Sequence, residues 1–308
     1  MQHWVIIGGG AIGCLWAASL QQQHIAASLV VRNNDALTRY RTAGGISLQR
    51  STTTFQCQPT AYTAVQYDHP IDRLIIATKA QHTAQALASV ASRLTDDCII
   101  LSLQNGMGQQ QHILDHYPNA RLYCGVSTDG AYLQSPFHVV HAGAGTTRIG
   151  RYPENAHDTP ETSALIAELP TDVLTICADQ HIERQLWQKL AINCLINPLT
   201  ALYRCHNGEL INHPQARPRL EQLAEELDRI IAAEGLAELV PAALSTALNV
   251  AKITAANRSS MFADVLAGRD TEINFITGYL CQRAAQHNIK VPCNQKVLDD
   301  IRLLKPNA

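Results

Sequence analysis

In KLAINCLINPLTAL, residues 189–202, Lys189, Asn193 and Asn197 stand four residues apart in otherwise apolar sequence, and Pro198 directly follows the last of them. At about 100° per residue, a step of four turns a helix by only about 40°, so the three would lie along one stripe. Leu186, Leu190, Ile192, Leu195, Ile196 and Leu199 fall on the other faces. An ammonium group can stabilise a developing oxyanion and hand it a proton, and carboxamides can orient a polar substrate without adding a competing charge. A solvated face is the bland alternative, but Asn is a poor helix former and two on one face favour a site. Pro198, with its fixed φ and no amide proton, is expected to bend or interrupt the helix just past Asn197.

The start of the chain points to a different chemistry. Gly8-Gly9-Gly10-Ala11-Ile12-Gly13 fits G-x-G-x-x-G, directly after WVII and at the opening of an apolar helix. The first glycine allows a tight turn, the second lets the backbone approach a pyrophosphate, and the third lets the helix pack closely on the strand. The amides at that helix's N-terminus attract phosphate. At the end of the next strand, where NAD-binding folds commonly carry Asp or Glu for the ribose 2′-hydroxyl, this chain has Val31-Arg32-Asn33-Asn34. A guanidinium suits a 2′-phosphate, so NADP(H) is expected over NAD(H). Lys79 after RLIIAT, and Asn105 with Gly106 after CIILSL, sit at strand ends, where open α/β sheets bind ligands. A solvated charge and an Asn-Gly turn are the alternatives there. Farther on, RSSMFADVLAGRDTEIN sets Ser260, Asp264 and Glu272 beside apolar residues, and Arg269, Thr271 and Glu272 open another expected helix. Spacing alone does not separate a site from Asp270 or Thr271 acting as a helix cap.

A scaffold for these residues is legible as alternating strands and helices. WVII (4–7), SLVV (28–31), RLIIAT (73–78), CIILSL (98–103) and RLYCGV (121–126) read as buried strands, being almost continuously apolar. Ala11–Gln23 and Ala80–Arg93 have the length and Ala/Leu/Gln content of helices. Strand-helix-strand repetition predicts a parallel sheet covered on both faces, an α/β fold of Rossmann type. Phe137–Gly150 suggests a hairpin-like extension, and a Pro-containing loop is expected around Tyr152–Pro160. From about Gln180 the texture becomes helical: Leu220, Leu223, Leu227, Ile230 and Ile231 mark one buried face, and HNGEL, HPQARP, VPAAL, NRSSM and IKVPCN mark breaks. The boundary is placed near residue 180, giving domains 1–180 and 181–308 with no flexible linker and an expected cleft between them.

Composition narrows the partners. With 308 residues, 46% hydrophobic and 16% charged, the chain reads as an ordinary globular protein of two domains. A formal net charge of −2 provides no electrostatic footprint for nucleic acid or an anionic membrane, which leaves a small molecule or a protein as the expected partner. The nine cysteines are scattered, odd in number and never spaced C-x-x-C, as reduced core thiols of a cytoplasmic protein would be. His112, Asp115 and His116 could share a helical face, but no H-E-x-x-H pattern accompanies them and no metal is expected. Trp4–Leu20 is an uncharged run of nearly membrane-spanning length. No Lys or Arg precedes it and four glycines interrupt it, so it is not expected to be a signal peptide or anchor.

Eight segments, taken in order, resemble the ketopantoate reductases (2-dehydropantoate 2-reductases): GGGAIG (8–13), Arg32, TKA (78–80), QNGMG (104–108), WQKLAINCLINPLTAL (187–202), HNGEL (206–210), SSM (259–261) and RDTEIN (269–274). The resemblance covers nearly the whole chain. It implies a Rossmann domain followed by an all-α domain like the C-terminal domain of 6-phosphogluconate dehydrogenase. It also implies that Gly8, Gly9, Gly10, Ala11, Ile12, Gly13, Arg32, Lys79 and Asn105 hold NADPH, with Ala131 of STDGAY close to the cofactor. By the same resemblance Lys189 donates a proton, Asn193, Asn197, Asn207 and Ser260 position the substrate, and Asn105 lies between the two ligands. Glu272 is implied at the nicotinamide end and beside the lysine. The implied reaction carries hydride from C4 of NADPH to the C2 carbonyl of ketopantoate, giving (R)-pantoate for pantothenate and coenzyme A biosynthesis, with cleft closure assembling the site. Partial burial would lower the lysine's pKa from about 10.4, and a nearby Glu272 would oppose that. Two departures stand out: the helix after the glycine loop ends QQQHI, without the glycine often found there, and STDG carries Asp129. A related 2-oxo acid or β-hydroxy acid dehydrogenase and a non-catalytic NADPH-sensing protein are the rival readings. The sequence leaves a homodimer open.

Overall fold

A computed structural model describes residues 3–154, 159–238, 240 and 242–304. Residues 155–158 of the expected Tyr152–Pro160 loop, Pro241 of the VPAAL break and the last four residues of the chain lie outside the described residues. Packing divides the chain into one unit of residues 1–104 with 109–183 and a second of residues 105–108 with 184–308.

The first unit runs β1 (Trp4–Ile7), α1 (Ala11–Gln22), β2 (Ala27–Val31), α2 (Asn34–Thr42), β3 (Ile46–Arg50), β4 (Thr53–Cys57), β5 (Thr60–Thr63), β6 (Ile71–Ile76), α3 (Thr83–Val90), β7 (Leu94–Ser102), α4 (Gln109–His116), β8 (Arg121–Ser127), β9 (Gly130–Ser135), β10 (His138–Gly143), β11 (Thr146–Arg151), α5 (Thr159–Ala167) and β12 (Thr175–Ala178). Its main sheet has the order β12-β11-β8-β7-β6-β1-β2-β5. The strands from β5 to β8 in that order are parallel, while β11 joins β8 antiparallel and β12 runs parallel to β11. Strands β2 and β5 lie on one side of β1 and β6 to β8 on the other. The strand order therefore reverses between β1 and β6, the point at which open α/β sheets bind ligands beyond their carboxyl ends.

A second sheet, β4-β3-β10-β9, was not legible in the apolar pattern. Its strands are short and half-exposed, with Thr and Gln alternating against Phe, Cys and Leu. It explains the uncharged run at the start: α1 touches β1 and β2 on one side and β3, β4, β9 and β10 on the other. A helix covered from two sides needs apolar residues all round, and Cys14, Leu15, Trp16, Ala17, Ala18 and Leu20 are each no more than 1% exposed. The sheet also corrects the expected Phe137–Gly150 hairpin. β10 pairs with β9 and β3, whereas β11 pairs with β8 and β12, so the two strands belong to different sheets. The sequence suggested an extended segment here but carried nothing about the partners of its strands.

The second unit is built from α6 (Ile182–Tyr203), α7 (Ala216–Ala233), α8 (Ala243–Ile253), α9 (Ser260–Leu266), α10 (Thr277–Gln286) and α11 (Pro292–Leu303), with 3-10 turns at Asn207–Ile211 and Ile273–Phe275. α7 buries Leu220, Leu223, Leu227, Ile230 and Ile231, the face its spacing predicts. Glu226 on that helix, 4% exposed, accepts from the backbone N–H groups of Cys293 and Asn294 at 2.9 Å each, capping the otherwise unanswered amides at the start of α11. Of the bend or interruption expected at Pro198, the interruption does not occur: α6 continues for 22 residues with Pro198 inside it. Proline removes the amide that would reach the Cys194 carbonyl, but Leu195, Ile196 and Leu199 around it are buried, and packing outweighs the local breaker. Among the described residues no helix is long and apolar enough to cross a membrane.

Candidate active site

In the first unit the glycine loop is shaped by two different demands. Gly8 has φ +117°, and a Cβ there would stand 2.8 Å from the Ala77 carbonyl; a Cβ at Gly13 would stand 1.8 Å from the Gly8 oxygen. Those glycines are required by the fold, since the turn after β1 presses on the end of β6 and α1 presses on the turn. Gly10 is different. Its φ of −81° suits any residue, and a Cβ would meet only the Ala77 oxygen at 3.9 Å. No side chain caps α1 at Gly10, and no acidic residue stands in the first turn. The space beside Gly10 and the amides of Ala11 and Ile12 therefore form a cradle that fits a pyrophosphate.

Other expected positions flank this loop in the sheet order. Arg32 is exposed immediately after β2, and Asn33 beside it caps α2 by accepting from the Ala36 amide at 2.9 Å. The nearest acidic residue in sequence, Asp35, is bound by Arg39, and among the described residues no carboxylate pairs with Arg32. Lys79 is half-buried between β6 and the 3-10 turn Ala80–His82. Its loop is fixed by a residue to which sequence reasoning gave no role: the Gln104 amide donates to Thr78 O (3.0 Å), Thr78 Oγ1 (3.1 Å) and Thr83 Oγ1 (2.7 Å). Gln104 is 6% exposed and ties the loop after β6 to the loop after β7. Ala131, on β9, stands opposite His141 of β10.

In the second unit, α6 carries Lys189 and Asn193 half-buried and Asn197 at 7% exposure, so the stripe becomes drier toward its end. The tetrapeptide 105–108 belongs to this unit: the Met107 amide donates to Phe275 O at 2.8 Å, and a Cβ at Gly106 would lie 2.4 Å from that oxygen. Phe275 N in turn donates to Glu272 O at 3.0 Å, so Asn105 and Glu272 lie on two directly joined segments. Glu272, 9% exposed, is the N-cap residue of the Ile273–Phe275 turn, and its side chain makes no capping hydrogen bond there.

Asn207 opens the turn after α6 and is 8% exposed. Its amide donates to Thr254 Oγ1 at 2.9 Å, its backbone N–H to Asn257 O at 3.0 Å, and its Oδ1 has no hydrogen-bond partner among the described residues. Ser260 is an exposed first-turn residue of α9. Its neighbour Ser259 is 6% exposed and caps that helix by accepting from Phe262 N at 3.0 Å, and its hydroxyl lies 2.7 Å from that of Thr200 on α6. The Thr200–Ser259 contact thus links the helix bearing the Asn stripe to the start of α9. The N-cap pattern was available to find Ser259; nothing in the spacing could have found Thr200.

His112 and His116 stack at 4.0 Å on α4, with His116 Nδ1 2.9 Å from the His112 carbonyl oxygen, and Asp115 accepts from Gln111. Among the described residues no group of three or more His, Cys, Asp or Glu side chains is placed to hold a metal ion. All nine cysteines are free thiols, and burial pushes the Cys14 thiol up to about 12.

Comparison with known proteins agrees with both units. The family "Ketopantoate reductase PanE/ApbA" matches residues 4–154, and "Ketopantoate reductase PanE/ApbA C terminal" matches residues 181–305. A 2-dehydropantoate 2-reductase from Halobacterium salinarum is 32% identical over 299 residues, 97% of each chain. A solved structure named "probable 2-dehydropantoate 2-reductase" from Bacillus subtilis superposes with TM-score 0.81 at 30% identity, covering 99% of this chain and 100% of that one. The fold is shared more widely: a D-mandelate dehydrogenase solved with NADH and anilino(oxo)acetate superposes with TM-score 0.90 at 19% identity, over 98% of both chains. Matches to both units, with identity above 30% along nearly the full length, place this chain in the ketopantoate reductase family of oxidoreductases.

Proposed function

We propose that this chain reduces 2-dehydropantoate (ketopantoate) to (R)-pantoate with NADPH, in the route to pantothenate and coenzyme A. The observation that carries the reading is the stripe on α6: one ammonium followed by two carboxamides of increasing burial, on an unbroken helix. Bound NADPH supplies the hydride. Lys189 then acts at the C2 oxygen, where charge develops as the carbonyl is reduced, by stabilising the alkoxide and transferring a proton to it. Asn193 and Asn197 hold the substrate's hydroxyl and carboxylate without adding a charge that would compete with the ammonium. The unanswered Oδ1 of Asn207 is an acceptor suited to the same hydroxyl group, and Ser260 donates to the carboxylate. Gly8 to Gly13 receive the pyrophosphate, with Lys79, Asn105, Ala131 and Glu272 as further cofactor contacts. Arg32, exposed and without a described carboxylate partner, favours the 2′-phosphate and hence NADPH over NADH.

The test is NADPH oxidation followed by absorbance with ketopantoate, 2-oxo-isovalerate and 2-oxo acids lacking the hydroxymethyl group. Ketopantoate is expected to give the highest kcat/KM. A higher value for an acid without the hydroxymethyl group would make the chain a reductase of another 2-oxo acid, and no oxidation with any of them would remove the catalytic reading.

A further inference from the structure

Strand β8 runs parallel to β7, β6 and β1, so the segment beyond Ser127 leaves the same end of the strands as the glycine loop. In that segment stands Asp129, at a position where the family resemblance leaves the polar residue variable. Its Oδ1 accepts from Gly145 N at 2.9 Å and from His141 Nε2 at 2.8 Å; its Oδ2 accepts from Ser127 Oγ at 2.6 Å and from Thr147 Oγ1 at 3.4 Å. The Asp129 and His141 side chains are 3% and 6% exposed. On the far side of the imidazole, Arg50 Nε donates to His141 Nδ1 at 3.3 Å. The guanidinium continues to Ser19 Oγ at 3.0 Å and Gln22 Oε1 at 2.9 Å, both on α1. With Nδ1 accepting and Nε2 donating, the hydrogen bonds select one tautomer of the neutral ring, set between a carboxylate and a guanidinium.

Register gives this chain of bonds a direction. Arg50, His141 and Ala131 stand opposite one another across β3, β10 and β9. One end of the network therefore fixes the turn after β8 and the strand of Ala131, and the other end grips the helix that springs from the glycine loop. Burying ions costs several kcal/mol, and apolar residues could join three strands and a helix as firmly. What the polar solution adds is a fixed distance and orientation. Arg32 follows β2, on the opposite side of β1 from β8 in the sheet order. A dinucleotide with its adenosine ribose at Arg32 turns its other half toward β6, β7 and β8.

We propose that Asp129, His141 and Arg50 are positioning residues for the nicotinamide half of the coenzyme, holding the 128–131 segment in register with the glycine-loop helix. The proposal rests on the dinucleotide reading given above. It is tested by equilibrium titration of intrinsic fluorescence with NADPH and, separately, with 2′,5′-ADP, which carries only the adenosine half. His141→Leu is expected to raise the Kd for NADPH about tenfold and to leave that for 2′,5′-ADP within about twofold. His141→Gln, whose amide can donate to Asp129 and accept from Arg50, is expected to recover most of the loss. Should His141→Leu fail to fold, Arg50→Gln, at the more exposed end, carries the test with a several-fold selective loss of NADPH. Equal weakening of both ligands, or a lowered melting temperature with unchanged NADPH affinity, would overturn the proposal while the dinucleotide reading stood. Wild-type protein that bound neither ligand would overturn both.

Discussion

Substitution of Gly10 by alanine separates a glycine kept for a ligand from one kept for the fold. The backbone at Gly10 is extended, with φ −81° and ψ −175°, so alanine fits without strain. Two small effects on stability then oppose each other. Alanine restricts the unfolded chain, a gain of about 0.4–1 kcal/mol, but it is a poorer N-cap than glycine by roughly the same amount. The net change should fall within about 1 kcal/mol, which for a domain of this size moves the melting temperature by about 2–4 °C at most. Gly13→Ala is the control: its Cβ would sit 1.8 Å from the Gly8 oxygen, inside any allowed contact, and backbone must move. Thermal melts should therefore show Gly10→Ala close to wild type and Gly13→Ala markedly lower. Titration with NADPH should show the opposite emphasis, with Gly10→Ala losing at least about tenfold in affinity, or about 1.4 kcal/mol, because its methyl group fills the cradle. Normal NADPH binding by a folded Gly10→Ala protein would refute the cradle, and destabilisation equal to that of Gly13→Ala would refute the claim that only a ligand needs this glycine.

Lys189→Ala should lower kcat on the order of 10²–10⁴-fold, the usual contribution of a positioned acid, with NADPH affinity nearly unchanged; loss of binding with normal turnover would reassign the residue. Arg32→Ala should weaken NADPH by about ten- to hundredfold and NADH little, as expected for lost charge-assisted bonds, and equal losses would contradict 2′-phosphate recognition. Thr200→Val keeps the shape but leaves the Ser259 hydroxyl without its neighbour, costing about 1–3 kcal/mol; a double-mutant cycle with Ser259→Ala should show the two losses failing to add. Asp129 should be visible in acid unfolding. Burial pushes its carboxyl up, but hydrogen bonds from Ser127, Gly145 and His141 outweigh burial and hold it below the usual 3.8. A depressed folded pKa stabilises the protein above the unfolded value and loses that stabilisation as pH falls through the folded one. The stability gap between wild type and Asp129→Asn should therefore be full at neutral pH and close below about pH 4, and a gap independent of pH would show that the carboxylate's charge is not what is held.

How much of this was legible in the sequence depended on whether the cause was local. Strands β1, β2, β6, β7 and β8 are wrapped on both faces, so their apolar runs announce them. The second sheet could not be read this way. β3 and β4 are half-exposed and short, and the hairpin they form enters the sheet by the pairing of β3 with β10, 91 residues away in sequence. Pro198 failed as a breaker for the same reason: the penalty is local, but the apolar packing that outweighs it comes from elsewhere in the chain.

The candidate site divides along the same line. Residues whose chemistry is unusual for their setting, such as Lys189 in an apolar helix or Gly10 at a helix start, betray themselves because a structural explanation is missing. Residues that position others do not, since a buried glutamine, threonine or histidine looks ordinary until its partners are known. Gln104 reaches Thr78 and Thr83, 26 and 21 residues away, and His141 joins Asp129 to Arg50, 91 residues away. Each is answered by groups that the chain brings in from distant segments. A mutation at Gln104 should therefore act through the Lys79 loop, raising the KM for the coenzyme before it lowers turnover. Gln104→Leu with an unaltered coenzyme KM and a reduced kcat would show instead that the loop after β6 plays no part in holding the dinucleotide.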